Sequence, residues 1–120
     1  MANQGTYYYN IALAYEIPYN VLDSEVPGVV EARNRLYETL SGGIPGRYEK
    51  FSMKLVLHQL QDSLNYIVSY TCFFRIPSGG LPMEEWLEAE ALKKSAQSEI
   101  EAFFDAVDVE YRKVNIKNIS

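Results

Sequence analysis

Large and small side chains alternate between Thr6 and Ile17. Tyr7, Tyr9, Ile11, Leu13, Tyr15 and Ile17 share one parity, and Thr6, Tyr8, Asn10, Ala12 and Ala14 the other. A period of two predicts a strand over 6–17 with a heavy face and a light face. Pro18 ends it or leaves it at a sheet edge. The period then changes. Val29, Ala32, Leu36 and Leu40 recur at helical spacing, which predicts a helix over 27–41. Asp23 and Ser24 offer capping groups, Pro27 suits the first turn, and Gly42-Gly43 would stop the helix in a left-handed conformation.

The next stretch carries both periods. Met53, Val56, Leu57, Leu60 and Leu64 fit a helical stripe, while Phe51, Met53, Leu55 and Leu57 alternate with Ser52, Lys54 and Val56. The following YIVSYTCFFRI (66–76) is a strand by composition. With Asp62–Asn65 as a loop, Phe51 opposes Ile76, Met53 opposes Phe74, Leu55 opposes Cys72 and Leu57 opposes Tyr70. All eight then share one face, which favours a hairpin, because a one-residue slip inverts the faces. On the opposite face Val56 meets Thr71, Lys54 meets Phe73, and Leu60 meets Ile67. Residues 82–106 predict a second helix. Pro82 opens it, Glu84, Glu85 and Glu88 sit where the helix dipole favours acids, and Trp86, Ala89, Leu92, Ala96, Ile100 and Phe103 form the apolar stripe. Residues 107–117 predict a last strand with a bulge near Lys113.

The order β-α-β-β-α-β predicts an α/β (α+β) two-layer sandwich of ferredoxin-like kind, an antiparallel sheet with two helices on one face. A helical 51–64 would instead give an α+β chain with a smaller sheet. The fold alone assigns no function.

Length and composition narrow the picture. At 120 residues, 48% hydrophobic and 22% charged, the chain is expected to be one domain, 1–120, and neither disordered nor collagen-like. The net charge of −5 is uneven: residues 84–110 hold nine acids and two lysines, and the rest is mildly basic. Such a balance gives no electrostatic reason to grip duplex nucleic acid. A single Cys72 and a single His58 leave no disulfide framework and no zinc-type cluster, so neither metal nor cofactor is expected. Without a signal-like start or an apolar run of about 18 residues, a cytoplasmic protein with no membrane partner is the expectation.

Two similar loops carry the candidate ligand chemistry. Ser41-Gly42-Gly43 with Arg47 follows the first helix, and Arg75 with Ser78-Gly79-Gly80 precedes the second. In the expected topology both lie at one end of the sandwich, together with Tyr7, Tyr8 and Tyr9. Glycines before a helix N-terminus expose amides to an anion, the arginines supply charge-assisted bonds, and a tyrosine can stack on a base. The bland alternative is a helix stop and a turn with arginines facing water. The light face of the sheet, with Ala12, Ala14, Val56, Leu60, Ile67 and Phe73, is apolar for a surface with no helix over it, which points to a face-to-face homo-oligomer interface. A covering C-terminal tail is the alternative. Ten tyrosines are many for 120 residues. Tyr7, Tyr9, Tyr15 and Tyr70 take core-facing positions, leaving Tyr8 and Tyr48 for a partner or ligand.

Catalytic options are thin. His58 falls opposite Ser69 without an acid to orient it, Cys72 points into the core opposite Leu55, and Glu84 with Glu88 reads as a dipole-favoured first turn as readily as a carboxylate pair. The leading expectation is therefore a non-catalytic homo-oligomeric protein, a homodimer or larger, that sequesters or senses a small anionic or nucleotide-like ligand. The first alternative is a protein-interaction module of inhibitor or immunity type that docks its acidic helix on a basic surface. The second is a small ferredoxin-like enzyme that uses a tyrosine or His58.

Overall fold

The computed structural model describes residues 7–44, 46, 48–76 and 82–115, with the side chains of Tyr7, Tyr8, Ile76, Pro82, Met83 and Glu85 outside that description. Six elements follow in chain order: β1 (Tyr7–Ile17), α1 (Pro27–Gly42), β2 (Glu49–Gln59), β3 (Tyr66–Ile76), α2 (Pro82–Ala106) and β4 (Arg112–Val114). They form a two-layer α+β fold. The four strands are antiparallel neighbours in the order β2-β3-β1-β4.

Alternation decides the faces. Ile11, Leu13, Tyr15 and Ile17 of β1 and Val68, Tyr70, Cys72 and Phe74 of β3 are buried together with Leu36 and Leu40 of α1 and Ala89, Ala96, Ile100, Phe103 and Phe104 of α2. Removing this much apolar surface from water drives the two layers together. The stripe expected on α2 holds from Ala89 onward, but Trp86 is half exposed, as is Leu87. Helical spacing sets the side a residue takes, not how far the layer beneath it extends. Phe104 completes the buried set, one helical turn beyond Ile100.

The hairpin forms, in a different register. Met53 stands opposite Cys72, Leu55 opposite Tyr70 and Leu57 opposite Val68. The Leu60 amide closes the turn on the Asn65 carbonyl at 3.2 Å. The slip from the expected pairing is two residues, which keeps every face unchanged, so an apolar-face test is blind to it. Phe51 is an irregularity between Lys50 and Ser52, where two residues of β2 oppose one of β3.

Three boundary expectations change. Val26, not Asp23 or Ser24, precedes α1, and no side chain caps it. Asp23 instead exchanges hydrogen bonds with Asn20, and the Ser24 hydroxyl accepts from the Val26 amide. Gly43 ends α1 at φ −75°, so no left-handed stop occurs there. Among the described residues the last strand covers Arg112–Val114 and pairs without a bulge at Lys113, and it starts late because residues 107–109 terminate α2; positions 116 and 117 of the expected strand lie outside the described residues. Asp108 adopts φ 58°, the Val109 amide bonds back to the Phe104 carbonyl, and the Asp108 amide to the Asp105 carbonyl. This is a Schellman termination with an aspartate where glycine is usual. No helix among the described residues is long and apolar enough to cross a membrane.

Candidate functional site

The pairing registers lay out the outer face as rows running across β2, β3 and β1: Glu49–Arg75–Tyr8, Ser52–Phe73–Asn10, Lys54–Thr71–Ala12, Val56–Ser69–Ala14 and His58–Ile67–Glu16. The first two rows form one end of the sheet. There Arg75 pairs with Glu49, and its guanidinium lies 5.6 Å from the centre of the Phe51 ring. Phe51 is 52% exposed and Phe73 43% exposed, so two rings and a guanidinium face outward together. The bulge puts Phe51 there. A regular ladder would have sent it inward with Met53, as the sequence pattern expects.

Other predicted ligand residues reach the same end by different routes. Tyr7 pairs with Ile76 and Tyr8 with Arg75 at the start of β1. Tyr9 is half-buried and stacks on Phe74 on the inner side. The Lys50 ammonium donates to the Ser41 carbonyl, which ties the end of α1 to the start of β2. Gly42 lies within the last turn of α1, and the Gly43 amide donates to the Leu40 carbonyl. This terminus therefore presents carbonyls, the negative end of the helix dipole. Arg47, Ser78, Gly79 and Gly80 lie outside the described residues. Tyr48, expected to face a partner, is buried and stacks on Phe74.

The expected interface set divides. Phe73 and Val56 are exposed and Ala12 is half-buried, whereas Ala14 is 1% and Ile67 4% exposed. Leu60 is not in the sheet at all; the shorter ladder leaves it in the hairpin turn. At the far end of this face Glu16 accepts from Arg112 and Asn65, and these donors hold its carboxyl below the ordinary glutamate range.

His58 stands opposite Ile67, not Ser69, yet its Nε2 lies 2.9 Å from the Ser69 Oγ on the diagonal. Ser69 is buried beneath the row. The carboxylate in the His58 row, Glu16, is two strands away, about 10 Å at normal strand spacing, and is engaged by Arg112 and Asn65. Among the described residues no carboxylate is hydrogen-bonded to the His58 ring to orient it. Cys72 is buried, and burial pushes its thiol pKa up, which keeps it neutral and unreactive. Glu84 is exposed in the first turns of α2. Among the described residues no group of three or more His, Cys, Asp or Glu is placed to hold a metal ion.

A second ring cluster lies inside. Tyr15 meets Phe104 and Tyr111 edge-on, and Phe104 stacks on Tyr111 at 5.1 Å between centroids. The Tyr15 hydroxyl donates to Glu101 Oε2 at 3.0 Å, and the Tyr111 hydroxyl approaches Oε1 at 3.5 Å. Burial, then the Glu101 carboxylate, raises the Tyr15 pKa. Glu101 escaped the sequence reading because a lone acid on an acidic helix carries no pattern; only its position one residue past Ile100 places it near the core side. Comparison of the chain with protein-family models, curated proteins and solved structures finds no match.

Proposed function

We propose that this chain is a non-catalytic binding protein that works as a homo-oligomer and holds a small anionic or nucleotide-like molecule at the ring-bearing end of its outer sheet face. The observation that carries this reading is the exposed pair of rings Phe51 and Phe73 beside the half-buried Arg75, with Tyr8 at the facing position of β1. A flat heteroaromatic group stacks on such rings, and stacking of this kind contributes about 1–3 kcal/mol per base. A phosphate or carboxylate competes with Glu49 for the Arg75 guanidinium. The exposed ion pair costs at most about 1 kcal/mol to give up, and the new bond is charge-assisted. A second copy closes over Val56, Phe73 and Ala12, leaving the ligand between subunits. The ferredoxin-like description of the fold belongs to the same proposal. It is supported by the β-α-β-β-α-β element order and by β3 and β1 at the centre of the sheet.

Native mass spectrometry of the purified protein is expected to give a multiple of the chain mass, and denaturing extraction to release a small anion. Nucleotides should raise the melting temperature, and Phe73→Ala or Arg75→Ala should abolish that rise. A ligand-free monomer with no thermal response overturns the reading.

One observation favours a second reading, an interaction module that docks its acidic helix on a basic protein. Trp86 and Leu87 are half exposed beside Glu84 on the first turns of α2. Binding of that kind weakens with salt and on reversal of Glu84 and Glu88.

A further inference from the structure

β2 is one of the two edge strands, eleven residues long against three in β4, and among the described residues no strand pairs with its free side. A long open edge is a template for an added strand, and proteins normally blunt it. The helix layer stops short of it. Inward-facing residues of β1 and β3 such as Leu13, Tyr15, Val68 and Phe74 are almost wholly buried, whereas Met53, Leu55 and Leu57 of β2 are only half-buried. Between β2 and α1 this leaves a groove of about 360 Å³, walled by Tyr37 and Ser41, floored by Leu40 and Tyr70, and bounded by Met53 and Leu55. Its size suits side chains entering from a strand rather than a packed helix.

Charge says what kind of strand. β2 carries Lys50, Lys54 and His58, and its one acid, Glu49, is paired with Arg75. Lys54 is exposed at the middle of the edge, with no ion-pair partner among the described residues. Pairing β2 with the β2 of a second copy would set this basic strand against itself, which like charges oppose.

We propose that the β2 edge and the α1–β2 groove receive an extended, acidic segment of another protein as a fifth strand. Backbone hydrogen bonds to the edge hold it in place. Alternate residues point to opposite faces of the sheet, so one set is apolar and enters the groove, and the other is acidic and lies beside Lys54. Glu49 and Phe51 belong both to this strand and to the ring-bearing end, and the groove beside Met53 and Leu55 is the part of the surface that lies apart from the Phe51–Phe73–Arg75 site.

The probe is a peptide of about eleven residues, the length of β2, alternating valine and glutamate. Titration should shift the amide resonances of β2 and of α1 around Tyr37. Lys54→Glu should weaken binding about tenfold and restore it for a valine–lysine peptide, because close charge pairs set the preference. N-methylation along one edge of the peptide should abolish binding. Lys54 is exposed, so its reversal is expected to fold normally, which circular dichroism checks. Equal affinity of wild type and Lys54→Glu for the acidic peptide, or resonance shifts confined to α2, overturns the proposal. So does a wild-type dimer that tightens on Lys54→Glu, which would show a second copy on this edge.

Discussion

Two ring clusters in this molecule use similar parts to opposite ends. In one, Tyr15, Phe104 and Tyr111 close around the Glu101 carboxylate beneath α2. In the other, the Arg75 guanidinium lies over the Phe51 ring on the open face of the sheet, with Phe73 half exposed two residues along β3. The first is held by every neighbour it has: Phe104 and Tyr15 are wholly buried, and the hydroxyl donors answer the carboxylate. The second has its ion pair with Glu49 in water and its rings half exposed. An aromatic excess is therefore not a single signal. Rings that fill a core make the fold, whereas rings left half exposed beside a charge add little to the packing.

The sharpest way to break this contrast is truncation of one ring in each cluster. Phe104→Ala should cost about 3–5 kcal/mol, the range for emptying a packed aromatic site, whereas Phe73→Ala should change stability by less than about 1 kcal/mol. Chemical denaturation of both variants measures the gap, and equal losses would mean that the outer rings are structural too. A smaller effect comes from pH. The folded Tyr15 phenol keeps its proton above the ordinary value of 10.0, and Tyr70 does the same through burial. The unfolded chain releases those protons first. Stability is then full below about pH 10 and falls as the pH rises beyond it. Tyr15→Phe should flatten that alkaline loss while costing about 1–2 kcal/mol at neutral pH through the missing hydrogen bond. Melting curves across the alkaline range decide it, and an unchanged slope contradicts the assignment. The smallest effect is at the turn that delivers Tyr111 to the closed cluster. Asp108→Gly relieves a left-handed backbone at φ 58° and removes an acid from the negative end of α2, for a gain of about 0.5 kcal/mol. Loss of stability there would show that the Asp108 side chain does something the backbone does not reveal.

Element types were legible where a period ran long. β1 and α2 have the expected bounds almost to the residue, and the faces of β2 and β3 follow from alternation. Exact pairing was not legible. Shifting the hairpin by two residues leaves every apolar residue on the side it had, so Leu60 falls out of the ladder and Phe51 out of the core without any change in the pattern. The site suffers most from this, because the bulge that brings Phe51 beside Arg75 is a local departure from the very periodicity used to read the strand.

Periods a few residues long marked β1, α1, β3 and α2 and the apolar side of each, since these depend on residues near one another along the chain. Tertiary structure decided the register, the reach of the helix layer over the sheet and the partner of each charge. It bound Arg75 to Glu49, placed Glu101 between two tyrosines, buried Tyr48 and put β2 at an edge of the described sheet. Those outcomes depend on residues far apart in the chain competing for the same space, and no local period records the winner.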